Sequence, residues 1–464
     1  MLTGSLVLWT IVKIAIIVGF VFNLAGVLTW VDRRQSAMIQ DRVGPNRAVV
    51  KIGPLELRLA GLLHTLADGV KFFFKEDFRP PKADRLLFGL APMLALAPVV
   101  ILLAAVPFGD TVCPGSLWRV LTLDGLEKTI FPAVGRYGVC SGEVGSAVGP
   151  IDLQVAPLSV GILFVFAIAG QGIIAAAIAG VSSDNKFSLL GALRASSQMV
   201  SYEVTLGMSL IGAMMIYGSV RLDDMARWQG ENAWGIFVQP VAFFLFFTAA
   251  VAESKRIPFD LPEAESELVS GYFTEYSGMK FGMFYLSEYM EIVTSSMLVV
   301  AVFLGGWQLP FLHRDGLTLE FGDTVLLHQD IAHIWMTVFG VVAFFGKVAL
   351  LCWIQAFIRW SLPRFRYDQL MKLCWKVLLP LSLANIMITG VVMLALDKAG
   401  TGAAAMLKTL GHVSQATVAV GLAYALVRLV VWFVGSRDPQ RWIVGSAATR
   451  ADKAGGTKTT AMQA

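Results

Sequence analysis

The chain has 464 residues, 56% hydrophobic and 15% charged, with mean hydropathy +0.67 and formal net charge +4. This composition excludes a soluble globular domain and indicates a polytopic membrane protein. Four cysteines without a CxxC spacing exclude iron–sulfur ligation by this chain, and five histidines, none paired inside an apolar run, argue against haem.

Nine apolar runs predict membrane helices, each near the roughly 20 residues that cross about 30 Å of hydrocarbon. They are 5–30, 86–108, 157–181, 199–219, 237–252, 283–307, 332–357, 377–397 and 413–435, the fifth being the shortest. The first is too long for a signal-peptide core and lacks a small-residue cleavage site, so it is read as retained. Segment 31–85 carries eleven Lys and Arg. The positive-inside rule makes it cytoplasmic and sets the N-terminus outside. Orientation accounts for these charges without nucleic acid. Arg359, Arg364, Arg366 and Lys372, then Arg437 and Arg441, fall inside as well. The expected fold is an all-α transmembrane bundle of about nine helices with a cytoplasmic C-terminus.

Within 55–77, Leu55, Leu59, Leu62, Leu63, Leu66, Val70 and Phe73 recur at helical spacing, which predicts an amphipathic surface helix. The outside loop 109–156 is rich in Gly and Pro. Its Cys113 and Cys140 can form a disulfide in an oxidising compartment or stay free; Cys352 and Cys374 read as packing residues. His328 and His333 flank a helix start, and no metal site is assigned. Residues 1–440 read as one membrane domain and 441–464 as a cytoplasmic tail expected to be disordered, its part 447–464 almost without large apolar residues.

The stretch that carries chemistry is AESKRIPFDLPEAESELVSGYFTEYSGMKFGMFYLSEYME. Ionisable groups at a bilayer are costly and mark ion paths or polar ligands. Glu203, Glu253, Glu288 and Glu291 fall at one depth in the cytoplasmic third of the membrane. Tyr202, Tyr285 and Tyr289 lie beside them in sequence, so a lateral chain for protons or ions is predicted. Ordinary interfacial glutamates are the plainer alternative. Between Pro258 and Glu275 a fresh helix start sets Glu263 and Glu267 on one face. Arg256 is expected to pair with Asp260. Lys347 sits near mid-membrane and is expected to have a carboxylate partner or a polar cavity. In DRRQSAMIQDRVGPNR, Arg33, Gln40 and Arg42 surround a Gly-Pro-Asn turn and can hold a ligand or partner protein.

These residues carry a family resemblance. DRRQSAMIQDRVGPNR, LADGVKFFFKE, ALRASSQMVSYE, the acidic stretch, LSEY and PRFRYDQLMKLCWKVLLP resemble the H subunit of bacterial NADH:quinone oxidoreductase, respiratory complex I. The resemblance spans residues 32 to about 380. It implies a plasma-membrane protein that forms part of a quinone chamber and links quinone reduction to proton pumping. By motif it implies quinone binding at Asp32, Arg33, Gln40, Arg42, Arg256, Asp260, Arg359 and Arg364. It implies a proton path through Asp68, Tyr202, Glu203, Glu253, Glu263, Glu265, Glu267 and Glu288, to which the mid-membrane position adds Lys347. Quinone is then substrate, no flavin, haem or cluster resides on this chain, and electrons come from partner subunits. Three features depart from the family: Asp32 replaces the usual Glu, loop 109–150 is long, and the ninth run exceeds the usual eight helices.

Two other readings are weighed. The homologous subunit of a membrane-bound hydrogenase binds no quinone, and the full PFDLPEAESELV and GPNR motifs weigh against it. A stand-alone ion antiporter does not need the large inside surface formed by 31–85 and 253–282.

Overall fold

The computed structural model describes residues 2–52, 55–57, 61–112, 152–261, 269–313, 316–321, 324–330, 333–399 and 401–434. In chain order, helix α1 (Leu2–Ile39) leads to a hairpin of β1 (Val50–Ile52) and β2 (Leu55–Leu57), then α2 (Leu63–Phe74) and α3 (Arg85–Leu102). Next come α4 (Gly161–Ala169), α5 (Gln171–Ser182), α6 (Lys186–Tyr217), α7 (Leu222–Glu231), α8 (Gly235–Val238), α9 (Pro240–Glu253) and α10 (Gly278–Phe303). An antiparallel sheet of β3 (Leu312–His313), β4 (Gly316–Phe321) and β5 (Thr324–Asp330) precedes α11 (His333–Ser361), α12 (Tyr367–Leu373), α13 (Leu379–Ala399) and α14 (Thr401–Val434).

Seven helical stretches among the described residues are long and apolar enough to cross a membrane. The molecule is a polytopic helical bundle. The expected fifth crossing is α9, whose 14 residues span about 21 Å at 1.5 Å per residue, short of the hydrocarbon thickness. Pro240 starts it at its first turn, where a missing N–H costs nothing. The ninth predicted run, 413–435, falls on α14 up to Val434, and α14 is not among those seven stretches. The predicted surface helix is shorter than read: residues 55–57 pair with 50–52, Val50 opposite Leu57, and the helix starts at Leu63. The three-stranded sheet has no counterpart in the sequence reading, because an apolar-run search passes over short strands. The tail, Cys113, Cys140, Glu263, Glu265 and Glu267 lie outside the described residues.

Helix ends follow local chemistry. The Asp84 carboxylate accepts from the N–H groups of Leu86 and Leu87 at the start of α3. Asn185 does the same for Phe187 on α6, which stops at Gly218 in the left-handed region (φ +66°). A π-helical turn at Cys374–Leu378 joins α12 and α13 into one crossing.

Helix α10 is the centre of the bundle: 78% of its apolar window is buried, against 22–50% for the other crossings. It packs on α1, α3, α11 and α2, while α6 packs on α5, α9 and α13. In lipid, close packing holds helices together. Gly191 of α6 shows the principle, since a Cβ there would run into the backbone of Gly271.

Candidate functional site

The N-terminal half of α10 presents Tyr285, Glu288 and Tyr289 on one side of the helix, and Glu291 follows Glu288 at three-residue spacing. The chain between α9 and α10 brings cations to them. Gln198 of α6 fastens this chain: its side-chain amide donates to the carbonyls of Ala252 and Phe259, 2.8 Å each. Phe259 stacks on Phe365 at 5.5 Å, and the Phe365 N–H donates to the Pro258 carbonyl at 3.1 Å.

Asp32, 7% exposed near the end of α1, lies at the head of the resulting network. It accepts from Arg359 Nη1 at 2.6 Å and from the Tyr289 hydroxyl at 2.7 Å. The Tyr289 and Tyr285 hydroxyls are 3.1 Å apart. Arg256 bridges onward. Its guanidinium covers the Tyr289 ring at 4.1 Å, with Nη1 4.0 Å from Asp32 Oδ2 and Nη2 3.7 Å from Glu288 Oε2. The Tyr272 hydroxyl donates to Glu288 Oε1 at 3.2 Å. Lys255 Nζ is 3.7 Å from Glu291 Oε2. Glu253, at the end of α9, is within electrostatic reach of Glu291, Glu203 and Lys255. Glu203 faces the junction of α4 and α5, where a Cβ on Gly170 would stand 3.1 Å from its carboxylate.

A cavity of about 60 Å³ lies among these groups, lined by Glu253, Lys255, Tyr272, Ser287 and Glu291 at its polar end. Since one water needs about 10–15 Å³, it has room for roughly four. Leu102, Val165, Phe246 and Leu298 line the rest.

Several expected residues are placed elsewhere. Asp260 pairs with Arg364 at 3.1 Å, whereas Arg256, its expected partner, turns to Asp32 and Glu288. Burial pushes the Asp260 carboxyl up to about 6, against the pull of Arg364. Asp68 forms an ion pair with Arg33 at 2.5 Å, tying α2 to α1 apart from the glutamates. Gln40 and Arg42 are exposed, Arg42 donating to the Ser36 hydroxyl at 3.1 Å. The Tyr202 hydroxyl donates to the Leu370 carbonyl at 3.1 Å. Lys347 faces three backbone carbonyls, those of Leu304 (2.8 Å), Gly306 (3.1 Å) and Gln308 (2.6 Å), and the Trp234 ring at 4.3 Å.

Sequence reasoning missed Lys255 and Tyr272. The signal for Lys255 was present: two successive cations follow directly on a membrane helix ending in a glutamate, and one pairs with each carboxylate of the next helix.

The family described as NADH dehydrogenase matches residues 12–390. The chain belongs to that family. A relative from Cytophaga hutchinsonii, named as an H subunit of NADH-quinone oxidoreductase, is 38% identical over 383 residues, covering 82% of this chain and 96% of its own length. The relative of the same name from Koribacter versatilis is 40% identical over 393 residues (83% and 98%), and that from Geobacter sulfurreducens is 41% identical over 382 (82% and 95%). The resemblance carried by the motifs therefore holds over most of the chain. The stretch beyond residue 390, which includes α14, lies outside the family match.

Proposed function

We propose that this chain is the quinone-binding and proton-coupling membrane component of an NADH:quinone oxidoreductase in the plasma membrane, with its N-terminus outside. One observation carries the reading: a network of carboxylates and cations runs from Asp32 through Arg256 to Glu288, and from Lys255 and Glu291 to Glu253 and Glu203. Buried charges of this number are costly unless paired, and along an ion path each is held by its neighbour.

Electrons arrive from partner subunits, the hydrophilic quinone-site and iron–sulfur chains. Quinone takes two electrons and two protons at the Asp32–Arg359 end, beside Asp260. The change in charge there alters the pairing of Arg256 with Asp32 and Glu288. Through low dielectric that change reaches Glu291, Glu253 and Glu203, where protons move toward the pumping subunits. Tyr289 and Tyr272 hold the carboxylates in place. Lys347, bound by carbonyls, stands outside this path.

The test measures quinone reduction and proton pumping separately in the whole complex carrying Glu203→Gln or Glu288→Gln. We expect pumping to fall at least about tenfold in each, the scale of a lost positioned proton carrier. If both variants pump at the native ratio of protons to quinone reduced, the path is wrong.

A further inference from the structure

Lys255 and Glu291 stand in the middle of the network, and Lys255 has no role of its own in the path so far. Lys255 follows α9 with a left-handed backbone (φ +54°), a conformation few residues other than glycine adopt. Its residue is 7% exposed, its Nζ is 3.7 Å from Glu291 Oε2, and it lies 5.8 Å above the Tyr272 ring. Arg256, the next residue, faces Glu288 and Asp32, and Asp32 is also held by Arg359. The two cations therefore divide the site. Arg256 holds the quinone-side carboxylates, and Lys255 faces Glu291 and Glu253, with Glu203 of α6 beyond them.

The charges do not balance on the Lys255 side. Among the described residues, Lys255 faces Glu291 from α10 and Glu253 from α9, Glu203 from α6 acts on Glu253, and Glu288 and Arg256 also act on Glu291. Helices α3 and α5 contribute only apolar lining there, among it Val99 and Ala176. A single cation among several acids can neutralise one of them at a time, and the others need protons or must bear their repulsion. Glu253, Lys255 and Glu291 line one cavity with room for water, so an ammonium on a flexible four-carbon stem can turn between the two acids without crossing packed side chains.

We infer that Lys255 is a shared counter-ion for Glu291 and Glu253, and that its move from one to the other sets which carboxylate carries the proton arriving from the Glu288 side. Lys255 is thus a positioning residue: it takes no proton from quinone but decides the order in which the acids are filled. A proton reaching Glu291 removes that acid's hold on the ammonium. The ammonium then pairs with Glu253, whose proton is free to leave toward Glu203. The step conserves charge, since one proton enters at Glu291 and one leaves Glu253. This inference rests on the proton-coupling reading given above.

The experiment uses the intact complex in proteoliposomes, with Lys255→Gln, Lys255→Arg, Glu291→Gln and Glu253→Gln. NADH oxidation with a water-soluble acceptor and copurification of partner subunits report assembly. The readouts are protons pumped per quinone reduced and the pH profile of that ratio. Lys255→Gln is expected to lower the ratio at least about tenfold and to displace its pH profile. Lys255→Arg is expected to pump because it keeps a cation in place, and it carries the test if Lys255→Gln fails to assemble. A native ratio and pH profile in Lys255→Gln, or loss of pumping in an assembled Lys255→Arg, overturns the inference. The two failures are distinguishable. If Glu253→Gln stops pumping while Lys255→Gln does not, the shared counter-ion fails alone. If Glu253→Gln also pumps normally, the path itself fails.

Discussion

The two ends of α10 hold buried cations in opposite ways. At its N-terminal half, Lys255 and Arg256 face carboxylates that can gain or lose protons. Beyond its C-terminal end, Lys347 faces the carbonyls of Leu304, Gly306 and Gln308, which cannot. These carbonyls follow the end of α10, where an ammonium suits the negative end of the helix dipole. A buried charge alone is therefore not a mark of a proton path. The two ends differ in whether the partners can titrate, carboxylates at one and carbonyls at the other.

The largest expected effect comes from the relay end. Arg256→Met leaves Asp32 and Glu288 without their shared cation, and removing one partner of a buried pair costs about 3–5 kcal/mol. Quinone reductase activity should fall more than about tenfold, measured beside NADH oxidation with a water-soluble acceptor. Activity at the native level would remove the contrast between the two ends.

Next in size is Lys347→Met. Buried carbonyls left unpaired cost about 1–3 kcal/mol, so the unfolding midpoint of the purified complex should drop. Protons pumped per quinone should not change. A lower ratio in this variant would make Lys347 part of the relay.

A smaller effect concerns Asp260. Its carboxyl is raised from 3.8 to about 6, chiefly by burial. The folded state therefore binds this proton more tightly than the unfolded one. The stability it confers is complete below pH 3.8 and is lost as pH rises through about 6. Hydrogen exchange in the 254–261 loop should accelerate across that window, and Asp260→Asn should flatten the dependence. The smallest effect belongs to Asp68→Asn. Its partner Arg33 is 42% exposed, and such pairs contribute about 0–1 kcal/mol, so thermal stability should barely move.

Much of the bundle was legible because apolar length is a one-dimensional property. The sequence marked Glu203, Glu253, Glu288 and Glu291 by their distance to helix ends, and the structure sets Glu291 beside Lys255 and, with Glu253, on one cavity. Pairings across the fold were not legible. Arg256 and Asp260 are four apart in sequence, yet Asp260 takes Arg364, 104 residues away, because α11 ends beside the loop. Lys347 was expected to have a carboxylate partner or a polar cavity, and it has three backbone carbonyls, which a returning chain can offer at any residue type and no side-chain pattern records. The hairpin at 50–57 escaped because Leu55 fits the spacing of the helix that follows.

The interruption between α4 and α5 has a consequence of its own. A missing methyl at Gly170 leaves the carboxylate of Glu203 a seat only as wide as its oxygens. Gly170→Ala would narrow that seat by a few tenths of an ångström without touching any charge. Position 170 thus works as a spacer whose width can be changed one carbon at a time, separating how close an acid stands from how acidic it is.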